Sequence, residues 1–507
     1  MKKFEVWVLL VILLGGFLVR VYKFNNPIAD WHSWRQSDTS AVSRNFVKFG
    51  YDILHPRFDD LSNGVSLIDN PKGYRFVEFP FYNILQAGLF EMFGGLGLLE
   101  LTLEEWGRLV TIFSSLIATV FLYLLVKKYV SQRAGLIAAF FYAFVPYNIY
   151  YSRVVLPDAL MVMAFLGGLY FFDLYLDKSE IRISKSETNS KFKNQKYVFY
   201  WLAIIFTSTA LLIKPFVAFF FLAFLYLVFM KYGLKGFKKP EIWAFFVLTT
   251  LPFFLWRMWM QNFPEGIPRN DWLYNGNGIR FKGAFYWWIF AERISRMILG
   301  FWGLPFVVLG LLFKSGNKEK WLFFTFVIST LFYVHVFATG NVQHDYYQIL
   351  IIPTLAIFFG KGVDGALRLA NDYFSYWTTR IVIVACLIFM FVFGWYVIRD
   401  FYSIQHPAII EAGRAVDELT PKDAKVIAVY NGDTTFLYHT NRQGWPVFER
   451  TLRAFRKAGA THIAFANPTK EELNFSTLFK TVKTTNTYAI FDLTQPTPLG
   501  LKELRKK

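Results

Sequence analysis

The strongest constraint on this chain is a repeated series of long apolar runs. A helix needs about 17–25 apolar residues to cross the hydrocarbon of a bilayer. The first such run extends from about Val6 to Val21. Others centre on 106–126, 134–151, 159–176, 198–213, 215–231, 242–259, 295–313, 321–338, 348–363 and 381–398. Backbone groups in lipid must be satisfied within the segment, so these runs read as helices. The expected fold is a polytopic α-helical membrane protein with about eleven transmembrane helices. Composition agrees. Hydrophobic residues are 55% and charged residues 18%, against soluble averages of about 45–50% and about 25%. Aromatic residues are 20%, which excludes a disordered chain. The single cysteine, Cys386, excludes an intrachain disulfide framework and a cysteine-based zinc site. The net charge of +18 reads as lysine and arginine gathered in cytoplasmic loops rather than as a nucleic-acid surface.

Charge sets the expected topology. Lys2 and Lys3 place the N-terminus inside, and the first run has no small-residue cleavage site, so it reads as a retained span. The shorter run Phe79 to Phe93 holds Glu91. If it does not cross, then Lys127–Arg133, the loop 177–197, Lys231–Lys239 and Lys314–Lys320 all lie inside, as the positive-inside rule requires. If it crosses, the rule fails repeatedly. It is therefore read as a helix at the outer face. Three outer pieces follow: a first loop of 23–105, a second of about 260–294, and a tail from about 400. The domains expected are a transmembrane one over 1–400 and an extracytoplasmic α/β one over 401–507. The protein is placed as a multi-pass plasma-membrane protein with its C-terminal domain outside.

In the tail a helix is expected near Ala408–Leu419 and another over 447–458. Strands are expected at Lys425–Tyr430, His462–Phe465 and Tyr488–Leu493, where apolar residues alternate. No phosphate-binding glycine pattern occurs there. The stretch 177–197 reads as a solvated polar loop.

Five groups of residues suit chemistry, and the topology puts all of them on the outer side. Just past the first span, Asp30, His32, Arg35 and Asp38 crowd between Trp31 and Trp34 and a helix-like stretch to Phe49, with Ser37 or Asp38 as its cap. Tryptophans there often only anchor a helix in the headgroups, but that leaves the four ionisable groups unexplained. Tyr151 to Asp158 forms an outer turn containing Arg153, and Asp158 heads the next span, where a carboxylate also suits the helix dipole. Lys214-Pro215 is an outer turn whose lone cation suits a phosphate, or a snorkelling lysine. Glu78-Phe79-Pro80 opens the outer helix, with Lys72 and Arg75 nearby. His344-Asp345-Tyr346-Tyr347 precedes a span bearing Pro353. Such a set suggests transfer to a hydroxyl or amine, a carboxylate taking the proton while cations hold a phosphate leaving group.

In this order the motifs resemble those of the C-superfamily (GT-C) membrane glycosyltransferases, in the branch that contains the protein mannosyltransferases and the aminoarabinose transferases. The resemblance covers about residues 1–400. It rests on the Glu78-Phe79-Pro80 entry, the Arg153–Asp158 turn, the Lys214-Pro215 turn and the His344–Pro353 turn. The family usually has Asp-Glu at the head of its first outer helix. Here Arg35-Gln36 stands in that place, so under the resemblance the catalytic aspartate maps to Asp30 or Asp38, or is lost.

The resemblance implies a GT-C-like fold with outer-face juxtamembrane helices. It also implies a sugar donor carried on polyprenyl phosphate and an acceptor that is a protein, a lipid-linked saccharide or a glycolipid. Asp30, Asp38 and Asp158 are the catalytic candidates. Arg35, Arg153 and Lys214 are the candidates to hold donor phosphate, and His32, Glu78, His344 and Tyr346 to bind substrate. Some relatives hold a divalent metal near the Glu-x-Pro glutamate with a histidine. The loop 260–294 has no histidine, so no metal ligand is assigned and metal dependence is left open. Membrane lipid is an expected partner and nucleic acid is not. The reading from another class is a multi-span transporter or a flippase of lipid-linked saccharides. Against it, the ionisable residues sit at span ends rather than at mid-span.

Overall fold

The computed structural model describes residues 3–97, 99–184, 190–372 and 375–505. Among them, seven helices are long and apolar enough to cross a membrane. They are Leu103–Tyr129, Asp158–Ser179, Gln195–Ile213, Pro215–Lys238, Pro240–Met260, Asp345–Ala370 and Tyr376–Ile398. The other four apolar runs are charged, short or interrupted. Lys3–Arg20 carries Lys3, Glu5 and Arg20 within its 18 residues. The run 134–151 divides into Gln132–Phe144 and Pro146–Tyr151, because Pro146 holds Val145 in extended backbone (φ −62°, ψ 125°). The run 295–313 divides into a π-helix, Trp287–Ile298, and an α-helix, Leu304–Leu312. Leu322–Val336 has 15 residues. Eleven crossings thus remain a sequence expectation, while the polytopic helical fold is what the structure has.

By its contacts the chain divides into two compact units. One, the helical unit, comprises residues 1–24, 108–257 and 270–400. The other, the α/β unit, comprises 25–107, 258–269 and 401–507. In the helical unit, Leu304–Leu312 and Ile352–Asp372 touch backbone to backbone. A Cβ on Gly310 would lie 1.9 Å from the Phe358 carbonyl oxygen, and one on Gly362 1.8 Å from that of Phe306. Small residues at such crossings let helices gain van der Waals contact where lipid offers no hydrophobic drive.

The α/β unit holds a five-stranded sheet in the order β2-β1-β3-β5-β4. The strands are β1 (Lys425–Ala428), β2 (Gln443–Trp445), β3 (His462–Ala466), β4 (Phe479–Thr484) and β5 (Tyr488–Pro496). β2, β1 and β3 run parallel, and β5 and β4 close the sheet antiparallel. Successive residues of β1 serve opposite faces, as the pleat demands. Val426 packs with Val416, Phe436 and Ile490, whereas Ile427 packs with Trp445, Phe455 and Ile463. Leu61, from the first long loop, completes the second core. Asp59 and Leu61 also hydrogen-bond to the backbone of Gly444 at the β2 edge. A Cβ on Gly444 would lie 1.7 Å from the Val426 carbonyl oxygen. Covering an edge strand in this way removes a row of open backbone groups.

The structure corrects several sequence expectations. The first outer helix runs Ser33–Phe49 and begins at His32, not at Ser37 or Asp38. His32 takes left-handed backbone (φ 54°, ψ 36°) and caps without a side-chain bond, so no cap signal is there to read. The polar stretch 177–197 is mostly helical, because Asp158–Ser184 and Ser190–Ile213 extend into it; 185–189 lie outside the described residues. Lys and Glu are good helix formers, so polarity alone does not end a helix. The expected helix over 447–458 is confined to Leu452–Lys457. Outer helix Phe81–Gly95 forms as expected and, at 15 residues, is not among the crossing helices.

Candidate functional site

The candidate side chains of the helical unit stand where helices are broken. Pro157 precedes Asp158, the first residue of its helix. Lys214 is extended (φ −146°, ψ 121°), held so by Pro215. His344 is extended (φ −120°, ψ 110°) ahead of the 3-10 turn Asp345–Ile351. At these breaks the Lys214 ammonium donates to Asp158 Oδ1 at 2.6 Å, both groups being buried. Lys214, expected as a lone cation, is therefore paired. Its ammonium also lies 5.3 Å from the centre of the Tyr346 ring and 5.6 Å from that of Tyr347. Asp158 Oδ2 is buried and has no hydrogen-bond partner among the described residues. An open oxygen in so buried a carboxylate needs an explanation, since native proteins leave few such atoms unsatisfied.

Asp345 is the second buried carboxylate here. Its Oδ1 accepts the Tyr151 hydroxyl, its backbone oxygen accepts that of Tyr147, and Arg293 Nη1 lies 3.9 Å from its Oδ2. Tyr147 and Tyr151 are four residues apart on one short helix and so share a face. His344 stacks on Tyr346 at 5.5 Å and meets Trp272 edge-on at 5.4 Å. Arg153 is fully buried and donates to the Lys23 carbonyl at 2.6 Å. The structure thus brings together Asp158, Lys214 and Tyr346, with His344 stacked behind. Asp345 and Tyr151 stood within motifs read from the sequence but were not chosen as site residues, and Arg293 and Tyr147 were not singled out.

The α/β unit has its own buried charge cluster. Arg35 pairs with Glu78. Asp38 takes the Arg75 guanidinium on Oδ2 at 2.7 Å and the Thr434 hydroxyl on Oδ1 at 2.6 Å. Burial pulls the Arg75 guanidinium below its ordinary value, with Asp38 and Glu78 opposing that shift. Asp60 is close enough to feel Asp38, and burial pushes it up to about 7 despite its bonds to Ser62. Arg35, Asp38 and Glu78, all candidates from the sequence, therefore share one network. Arg75, Asp60 and Thr434 join it; Thr434, far away in the tail, carried no sequence signal.

Gln36 Nε2 donates to Asp30 Oδ1 at 2.6 Å. Asp30, His32 and Trp31 line a cavity of about 210 Å³ together with His406, Tyr430 and Asp433 from the tail. Burial raises the Asp433 carboxyl above its ordinary value, against a hydrogen bond from the Thr435 backbone. No group of three His, Cys, Asp or Glu among the described residues is arranged to hold a metal ion. The Glu78 carboxylate is paired with Arg35.

Comparison with known proteins gives one match of sequence and several of fold. The family described as dolichyl-phosphate-mannose-protein mannosyltransferase matches residues 84–185. No curated protein matches the sequence. The fold is similar to that of ArnT from Cupriavidus metallidurans bound to undecaprenyl phosphate. The identity is 13%, the TM-score 0.64, and the match covers 97% of this chain and 98% of that one. It is similar too to the oligosaccharyltransferase AglB of Archaeoglobus fulgidus in complex with an inhibitory peptide and a dolichol-phosphate. Here the identity is 12%, the TM-score 0.56, and the coverage 98% of this chain and 77% of that one. The resemblance to GT-C membrane glycosyltransferases read from the motifs is borne out, as is the fold class: a mostly helical membrane protein with a small C-terminal sheet.

Proposed function

We propose that this integral membrane protein is a glycosyltransferase that moves a sugar from a polyprenyl-phosphate donor to an acceptor hydroxyl or amine at the outer face of the membrane. The observation that carries the reading is the fold match over nearly the whole of both chains with a protein that holds undecaprenyl phosphate. The N-terminus is assigned to the inside and the C-terminal segment to the outside, from the charge of the loops.

The residues divide the work as follows. Lys214 takes first place among the phosphate-holding cations. An ammonium has donors left after its bond to Asp158. Asp158 orients Lys214, and its open Oδ2 is available to a bound group. His344 and Tyr346 wall this position. Asp30 acts as the base in preference to Asp38. Both oxygens of Asp38 are engaged, by Arg75 and Thr434, and taking a proton would break one of those bonds. Asp30, which accepts from Gln36 Nε2, lines an open cavity beside His32. In the reaction the acceptor oxygen bonds to the anomeric carbon as the bond from that carbon to phosphate oxygen breaks. The electron pair leaves with polyprenyl phosphate, and the acceptor proton passes to Asp30. A base acting on the acceptor implies inversion, by analogy with inverting hydrolases.

The test is transfer of label. Purified protein in lipid is given radiolabelled polyprenyl-phosphate sugars and membrane extract. Wild type is expected to label a product, and Asp30→Asn to lower kcat by about 10²–10⁴-fold. An unaffected Asp30→Asn would move the base elsewhere. No transfer from any donor would favour the transporter reading.

A further inference from the structure

We infer that the cavity of about 210 Å³ in the α/β unit is a binding subsite for an uncharged sugar ring of the acceptor, with Tyr430 and Asp433 as its specificity-determining residues. The inference deepens the proposed function and rests on it for the word acceptor; the sugar site itself rests on the geometry that follows.

The cavity opens at the carboxyl end of β1. That strand ends at Ala428, and Tyr430 and Asp433 follow directly. β1 lies between β2 and β3, both parallel to it. The chain leaves β1 toward β2 on one side and later returns to β3 on the other. Ligands of open α/β sheets bind outside the carboxyl ends of the strands at such a switch. The turn there is a tight one. Asn431 and Gly432 both have positive φ (53° and 83°), and the Asp433 N–H closes onto the Tyr430 carbonyl at 2.9 Å. Two residues with positive φ at the centre of a turn fix both flanking side chains. Across the cavity, His32 sits in the left-handed region, which a side chain of that size adopts at a cost. Strain of this kind gathers at ligand sites.

The lining chooses the ligand. Trp31 is 38% exposed and stacks on Phe401 at 4.9 Å, so its ring is fixed yet open. The Tyr430 ring meets that of His406 edge-on at 5.8 Å. Aromatic faces beside carboxylates offer apolar cover for the C–H face of a sugar and acceptors for its hydroxyls. Asp30 and Asp433 supply the carboxyl groups of the lining, and His32 and His406 its imidazoles. Two carboxylates repel phosphate, so the donor's phosphate does not belong here. Each carboxylate can accept from the hydroxyls of a sugar ring.

The test separates binding from transfer. The full chain in lipid nanodiscs is titrated with methyl glycosides of glucose, galactose, mannose and N-acetylglucosamine, and with glucosamine as the amine probe. Saturation-transfer NMR reads contact with the ring protons. At least one neutral glycoside is expected to give ring-proton signals. These should fall at least fivefold in Trp31→Ala and in Asp433→Ala, and at least threefold in Tyr430→Ala. In any acceptor assay these variants should raise the acceptor KM about tenfold while leaving the donor KM unchanged. The inference is overturned if no neutral glycoside binds, if glucosamine alone binds, or if the signals survive these substitutions in protein that melts as wild type does. Wild type that binds glycosides but transfers no labelled sugar would instead remove the proposed function and leave the sugar site standing.

Discussion

The two buried charge clusters make an instructive pair. In the α/β unit the network is closed: Arg35 has Glu78, and Asp38 has both Arg75 and Thr434. In the helical unit the pair is half open: Lys214 has Asp158, but Asp158 keeps a buried oxygen without a hydrogen-bond partner. A closed buried network has met its desolvation cost internally and serves to fix structure. A half-open one retains that cost until a ligand arrives. Both clusters answer to the same motif logic in the sequence, yet their pairing differs.

The comparison can be broken most easily at Lys214. Lys214→Met leaves the Asp158 carboxylate buried without its cation. Transfer should fall by about 10²–10³-fold, the scale seen when a preorganised charge on a developing anion is removed. The protein should remain folded, checked by monodisperse gel filtration. If Lys214→Met keeps near-normal kcat, the half-open pair is structural after all and the contrast collapses.

The closed network should respond in stability instead. Arg75→Ala strands Asp38 and should cost about 3–5 kcal/mol. Limited proteolysis of residues 401–507 and a lowered melting temperature would report it. Replacing Arg35 and Glu78 together by methionine should recover most of the loss seen with either alone, because a buried pair exchanged for apolar side chains is often neutral. A double replacement as damaging as the single ones would give this pair a functional role.

The smallest effect belongs to Asp60. Burial lifts its folded value to about 7, far above that of an unfolded aspartate. The unfolded chain therefore loses its proton first. The stabilising contribution is full at pH values below about 4, declines as pH rises, and is spent once pH passes about 7. Asp60→Asn removes that slope. Its melting temperature should exceed that of wild type by a few degrees at pH 8 and match or fall below it at pH 5. Parallel profiles would show that Asp60 is charged in both states.

How much was legible depends on what each signal needed. The spans were readable because hydropathy is local and summed over many residues. Asp158 and Lys214 were readable because a charged residue at the end of an apolar run stands out. Asp345 was in view but not chosen, since nothing in the string His344-Asp345-Tyr346 says that Tyr147 and Tyr151 turn toward it. In the tail, β1, β3 and β5 announced themselves by apolar alternation. β2 has three residues and β4 is a polar edge bearing Lys480 and Lys483, so neither had a pattern to show. Asp38 was read as a helix cap, but the helix starts at Ser33 and places it in the interior, against Thr434.

The sequence by itself determined that the chain is a polytopic helical membrane protein and that charge gathers at the ends of its spans, and its motifs resemble those of GT-C glycosyltransferases. The first two follow from composition along the chain and from transfer energies that add residue by residue. Only the tertiary structure decided which carboxylates are engaged and which keep an open oxygen. It alone joined residues 29–34 to 405–433 around one cavity, and paired the lone lysine with Asp158. Those facts depend on partners tens to hundreds of residues away. A buried charge takes its meaning from the groups that replace its water, and these become neighbours only in the folded chain.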